Sequence, residues 1–334
     1  MRRLWRIGWQ LLGMACVGLI VAACGGGGGS SSPSLANQAY TGQRTQATFS
    51  LANAEALVLG AIKGQEVGGI TPLNVKSTPV GENLLANSIS PWELALLARR
   101  AAEQTWATLP QVQPSALLNP AEECLNYPAG TLTDTLVESV GANTASVSGA
   151  ISYNNCDIGG LVLTGDETVS ATFNLQTGNI NLTLTFVNLL ADDGLEDIKL
   201  AGTIIGAFFI DQTNGLPASD LTMDVTVTDA ANKTFWMNNY KLKEWEEATG
   251  IRGLWGGRFY HHDHGYVDFV TDPSDRIFIP FDSLSPTYDG KLDFTGATQS
   301  RATLWLGVNA ADYCINVYGS TGSHLGDLGT CAPL

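Results

Sequence analysis

Two rhythms divide the chain. From about Ala145 apolar and polar residues alternate with a period of two. In NINLTLTF, Ile180, Leu182, Leu184 and Phe186 fall on one side while Asn181, Thr183 and Thr185 fall on the other. DLTMDVTVT repeats the pattern, with Leu221, Met223, Val225 and Val227 opposed to Thr222, Asp224, Thr226 and Thr228. Successive side chains of a strand point to opposite faces, so these runs predict antiparallel strands with one buried face and one wet face. The clusters QTGN, LADDGLED, DQTNGLPASD, DAANK, HDHG, TYDG and GATQS separate the runs and supply turn chemistry. Eight or more strands at such spacing predict a mainly β protein: a large antiparallel barrel, half-barrel or sandwich. One stretch is ambiguous: YKLKEWEEATG, Tyr240 to Gly250, reads as a short helix ending on glycine or as a strand followed by a loop.

The earlier part of the chain has a helical rhythm. SLANAEALVLGAIKG offers Ser50 as a cap and Gly64 as a stop. In SPWELALLARRAAEQTWATLP, Ser90 caps, Pro91 takes the first helical position, Glu93 completes a capping box and Pro110 lies beyond the end. Trp92, Leu96, Leu97 and Trp106 give this second helix an apolar side. Two N-terminal helices are therefore expected to precede the β domain.

The first residues carry a different signal. Arg2, Arg3 and Arg6 stand ahead of an apolar run from Leu11 to Ala23. The run is shorter than the roughly 20 residues a membrane-spanning helix needs, and it reads as a secretory signal. Its ending, VAAC, resembles the lipobox of bacterial lipoproteins. That resemblance implies cleavage before Cys24 and acylation of its thiol and new amino group. An ordinary signal peptide cleaved after Ala23 is the alternative. GGGGGSSSPS, Gly25 to Ser34, then reads as a tether spanning on the order of 17 Å. By the same resemblance, Gly25 in place of Asp as the second mature residue implies the outer membrane of a two-membrane bacterium. The expected divisions are 1–23 signal peptide, 24–45 lipidated cysteine and flexible linker, 46–120 helical segment and 121–334 β domain.

Charge and cysteine content sharpen this picture. The chain has a net charge of −15, and the expected signal segment holds three arginines and no acid, so the mature form would carry −18. Such acidity argues against nucleic acid or anionic lipid headgroups as partners, since both select for Lys and Arg. With Cys16 removed and Cys24 acylated, Cys124, Cys156, Cys314 and Cys331 remain, an even number suited to an oxidising compartment. Three pairings are open, and the short sequence gaps favour Cys124 with Cys156 and Cys314 with Cys331.

Candidate chemistry is sparse. YHHDHGYVDFVT gathers three of the four histidines. It reads as a hairpin tip in which Gly265 takes a positive φ and Asp263 bonds its own backbone. It also reads as a metal site in which His262, His264 and Asp268, or a remote Asp282 or Asp289, ligate zinc. The hairpin reading is preferred, because a tight tip splays its side chains and no HExxH pattern accompanies it. Asp192, Asp193, Glu196 and Asp197 lack the spaced ligand order of a calcium loop and read as an acidic turn, with Ca²⁺ as the alternative. There is no GxSxG elbow, Walker A or GxGxxG motif, and His324 sits in a glycine-rich loop near Cys331. Trp236, Trp245, Trp255, Phe259, Tyr260, Tyr266 and Trp305 read as core or as the lining of an apolar cavity.

The order of lipobox, polar tether, paired helices, YNNCDIGGLVLTG with Cys156, FNLQTGNINLTLTF, and GYVDFVT leading to GKLDFTGATQSRATLWL resembles a broad group of uncharacterised proteobacterial lipoproteins. The resemblance covers roughly residues 120 to 310 and transfers no activity and no functional residue. The expectation is a non-enzymatic, lipid-anchored envelope protein that binds or scaffolds. Its membrane contact runs through Cys24, and it has no cofactor and no nucleic-acid partner. A carrier of lipid or another apolar ligand is the second reading, and a metal-dependent activity at the histidine turn the third.

Overall fold

A computed structural model describes residues 33–63, 128–157, 162–192, 197–211, 215, 217–247, 249–280, 289–307 and 313–331, with Cys124 and Asn126. The period-two segments are strands. The first seven are β1 Thr131–Asp134, β2 Val137–Val140, β3 Thr144–Asp157, β4 Val162–Asn174, β5 Ile180–Asp192, β6 Asp197–Ile210 and β7 Pro217–Thr228. Then come β8 Thr234–Glu246, β9 Gly250–His261, β10 Gly265–Thr271, β11 Ile277–Pro280, β12 Gly290–Thr295, β13 Arg301–Leu306, β14 Tyr313–Tyr318 and β15 His324–Gly329. All join one antiparallel sheet in the order β1-β3-β4-β5-β6-β7-β8-β9-β10-β12-β13-β14-β15, with β2 beside β3 and β11 beside β9. The sheet is a meander that does not close into a barrel. The ambiguous Tyr240 stretch is strand as far as Glu246.

The alternation sorts side chains as expected. On β5, Ile180, Leu182, Leu184 and Phe186 are buried and Asn181, Thr183 and Thr185 face outward. The rhythm slips at bulges between Val187 and Leu189 on β5 and between Asn238 and Lys241 on β8. There Asn188 and Asn239 take φ of 57° and 48°. Asparagine tolerates this left-handed region because its short amide bonds locally. Each bulge adds twist and bends its strand, which lets strands of 12 to 14 residues coil.

Two helices are described. α1, Leu35–Ala39, is one turn capped by Ser34, whose Oγ accepts from the Asn37 amide at 3.2 Å. α2 runs Ala54–Lys63, beginning four residues after the expected cap Ser50, whose carbonyl accepts from the Ala54 amide. Its residues Leu57 to Ile62 are buried without a break. At 100° per residue those six positions face every direction, so α2 is enclosed over that stretch, while Glu55 in its first turn is exposed. It lies against β9, β13 and β14, and its apolar side chains belong to the same buried cluster as the inward residues of β3 to β14. Gly64 and the second expected helix lie outside the described residues.

Both expected disulfides are present. Cys124–Cys156 ties the chain before the sheet to β3, and Cys314–Cys331 ties the end of β15 to β14.

Because Leu57 is fully buried in the main core, Leu57→Ala is expected to cost about 2–5 kcal/mol. Equilibrium urea unfolding measures this, and a loss under about 1 kcal/mol would contradict the enclosed position of the helix.

Candidate functional site

The segment expected to be a free linker is ordered from residue 33 and fastened to the sheet. α1 rests on the outward face of β6, β7 and β8. Its seat is one cross-strand rung, Thr226, Trp236, Tyr260 and Tyr266. Thr226 Oγ1 donates to the Ala36 carbonyl at 2.7 Å. Trp236 stacks on Tyr260 at 4.4 Å between ring centroids, and Tyr40 lies against both at 5.7 and 5.4 Å. Arg44 donates to the Asn37 and Tyr40 carbonyls at the end of α1 while its guanidinium stands over the Tyr40 and Trp236 rings. Ala36, Tyr40, Trp236 and Tyr260 thus make a second small core on the outer face.

From Tyr40 the chain passes to the other face as a strap. The Tyr40 hydroxyl, its pKa pushed up by burial, sits between the Gln43 carbonyl at 2.8 Å and the His261 carbonyl at 3.0 Å. The Gln43 amide donates to His262 O, Tyr266 N donates to Thr45 O, and Ala47 N donates to Tyr266 O. The strap therefore pairs with the start of β10, where β12, whose last partner is Asp268, has already ended. On its far side Ala297 N donates to Ala47 O, and Phe49 N donates to Ser300 Oγ at 3.0 Å. Phe49 then enters the main core and leads into α2. Gly265 is required twice: its φ is 85°, and a Cβ there would lie 2.1 Å from Thr45 O.

The histidine turn is the hairpin expected, with His261 opposite Gly265 and His262 to His264 as the loop. Its tip faces solvent at Asp263 and is half-buried at His262 and His264, while His261 at its base is 0% exposed and the strap bonds the His262 carbonyl. His261 packs edge-on to Phe235 at 5.2 Å and stacks with His264 at 4.5 Å, and its Nδ1 accepts from the Asp263 amide. The expected metal ligands diverge. His262 Nδ1 accepts from the Thr234 amide at 3.1 Å, which occupies that lone pair. Asp268 lies four residues beyond His264, roughly 13 Å along a strand, and is held by two hydrogen bonds from Arg258 at 2.7 and 3.1 Å. Lys233 pairs with Asp263 and holds its carboxyl below the usual range. Among the described residues no three His, Cys, Asp or Glu side chains are grouped to hold a metal.

The other candidates separate in the same way. Asp192 and Asp197 are register partners across β5 and β6, while Asp193, Glu196 and Asp282 lie outside the described residues; Asp289 forms a bridge with Phe278. His324 pairs with Asp327 on β15 at 2.6 Å. The aromatic set does not line one interior. Trp255 and Phe259 enter the main core, Trp236, Tyr260 and Tyr266 form the seat of α1, and Trp305 is outward and partly exposed. Trp245 is flanked by Lys243 and Arg276.

Sequence reasoning missed Glu167. It occupies an inward position of β4 opposite Phe186, and burial pushes its pKa up to about 7, opposed by a hydrogen bond with Tyr153. The inward alternation of DETVSATF, with Glu167 in phase with Val169, Ala171 and Phe173, is the signal that marks it. The strap also had a trace: Ala47 and Phe49 alternate with polar residues in QATFS. Comparison with protein-family models, with curated proteins and with solved structures found no match for this chain.

Tyr40→Ala removes the contact that joins α1, the strap and the hairpin. Hydrogen exchange at the Ala47 and Tyr266 amides is expected to quicken by about thirtyfold, the equivalent of about 2 kcal/mol. Unchanged exchange would show that the strap holds without it. Glu167 makes stability fall with rising pH. The folded form keeps a proton that the unfolded chain releases near pH 4.5, so stability is greatest below that value and falls by about 3 kcal/mol on the way to pH 7. Glu167→Gln is expected to flatten this window in urea melts; an unaltered slope would assign the dependence to another group.

Proposed function

We propose that this chain is a lipid-anchored lipoprotein of the bacterial cell envelope that acts by binding, without catalysis. The signal, the VAAC sequence at Val21 to Cys24, the glycine and serine tether and the two disulfides support export and anchoring. The observation that carries the reading is the docking of the chain from Ser34 onward. Ten residues link Cys24 to Ser34, and a fully extended chain of that length reaches at most roughly 36 Å. The end of the sheet beside α1 is therefore kept close to the bilayer. That end carries the Asp229–Lys233 turn, the His262–His264 turn and the Gly296–Ser300 turn. The opposite end carries the Leu175–Asn179 turn. Two or three acyl chains at Cys24 hold a protein far more firmly than one.

A binding role fits the site geometry. The histidines and carboxylates at the turn are bonded to backbone amides, to Arg258 and to Lys233. That arrangement fixes a hairpin to a strap, and the hydroxyl beside His262 Nδ1, Thr234 Oγ1 at 3.3 Å, is itself bonded by the Thr41 amide and hydroxyl of the strap.

The acyl chains are the point of test. Cells fed an alkyne-tagged fatty acid are expected to label the protein, with the label on the tryptic peptide Cys24–Arg44, and Cys24→Ala is expected to abolish it. Label absent from the wild-type chain, or retained in Cys24→Ala, would overturn the anchor.

A further inference from the structure

The outward face of β4 to β7 carries an open groove of about 340 Å³, at the lower end of the roughly 300–1,000 Å³ of small-molecule sites. Two adjacent cross-strand rungs build it. One is Ser170, Thr183, Ile205 and Thr222; the other is Thr172, Asn181, Ala207 and Asp220. Ala207 is short, so β6 forms a low floor between taller neighbours. Ile205, 56% exposed, and Phe209 flank that floor and give it an apolar surface.

Polar side chains elsewhere on this face use one another. Thr185 bonds Thr203 one rung away, Ser152 bonds Asp166, Trp236 and Asn238 both bond Asp224, and Thr303 bonds Asp293. In the groove the pattern stops. Ser170, Thr172, Asn181, Thr183, Asp220 and Thr222 hydrogen-bond with none of the described side chains through their own. Six hydroxyl, amide and carboxylate groups border an apolar floor and are open to a partner from solution. Asp220 is opposite Lys243 on β8, whose ammonium stands over the Trp245 ring, so the groove keeps the charge of the carboxylate.

We propose that this groove binds an uncharged oligosaccharide. Sugar hydroxyls both donate and accept, which matches Ser, Thr and Asn, and the C–H faces of a pyranose suit Ile205 and Phe209. A fatty acyl chain would desolvate six polar groups without replacing their bonds. A polyanion would meet Asp220. The site stands apart from the anchor and does not depend on acylation of Cys24.

The test uses the full chain in detergent micelles and an array of gluco-, manno-, galacto- and N-acetylglucosamine tetramers, followed by calorimetry on any tetramer retained. At least one tetramer is expected to bind. Thr183→Arg, which fills the groove, is expected to abolish binding. Asn181→Ala with Asp220→Ala is expected to weaken it about tenfold. Thr185→Val, one rung away, is expected to leave it within about twofold. Circular dichroism of each variant confirms that these outward positions leave the sheet folded. Failure of every tetramer to bind, or binding retained in Thr183→Arg, overturns the site. Neither result bears on lipid labelling at Cys24.

Discussion

An antiparallel sheet that does not close on itself leaves one apolar face to be covered. The rest of this structure depends on how part of that cover is supplied. Burying apolar surface stabilises by roughly 25 cal/mol per Å², so an inward face as rich in Leu, Phe, Val and Ile as this one cannot stay wet. α2 supplies part of the cover, with six successive residues out of water. From Leu57 to Ile62 the helix offers no surface to solvent, so its entry into the core has to be built by the chain before it. The strap is that construction. It starts on the outer face, takes the place of a strand beside β10 and ends inside at Phe49. Both faces of the sheet are thereby joined by one continuous stretch of backbone.

The polar residues of the turn follow from the same construction. Bringing backbone past a hairpin end leaves amides and carbonyls that must be bonded when buried. The Tyr40 hydroxyl and the His261 and His262 nitrogens meet that need at the rim. Their density in sequence therefore reflects backbone satisfaction. By contrast, the six polar side chains of the groove on β4 to β7 bond to none of the described side chains, unlike Asp166, Thr185 and Asp224 around them.

Much of the architecture was legible because a strand's side-chain period is set by local geometry. The alternation in NINLTLTF and DLTMDVTVT identified strands and their buried faces, and the short gaps between cysteines anticipated both disulfides. Closure was not legible. Whether a meander ends open or seals depends on tilt and bulges accumulated over many strands, and no single segment records that sum. The strap was hidden because its partners are distant: Tyr40 meets His261 across 221 positions and Phe49 meets Ser300 across 251. The histidine cluster drew attention as chemistry because ligand residues and hairpin residues overlap in type. Only the Thr234 amide on His262 and the Arg258 fork on Asp268 distinguish them. The groove was invisible because it arises from cross-strand register, which places Asn181 beside Ala207 and Asp220.

The threading of the strap also fixes an order of events in the life of the chain. Synthesis delivers Tyr40 to Ile62 early, but the residues that receive them, His261, Tyr266, Ala297 and Ser300, come in the last quarter of the chain. Until the C-terminal third has been made, the buried residues of α2 lack their partners on β9, β13 and β14. The leading segment of the chain must therefore be among the final pieces to settle. Any factor that guards the unfinished chain would have most to protect at its N-terminal end.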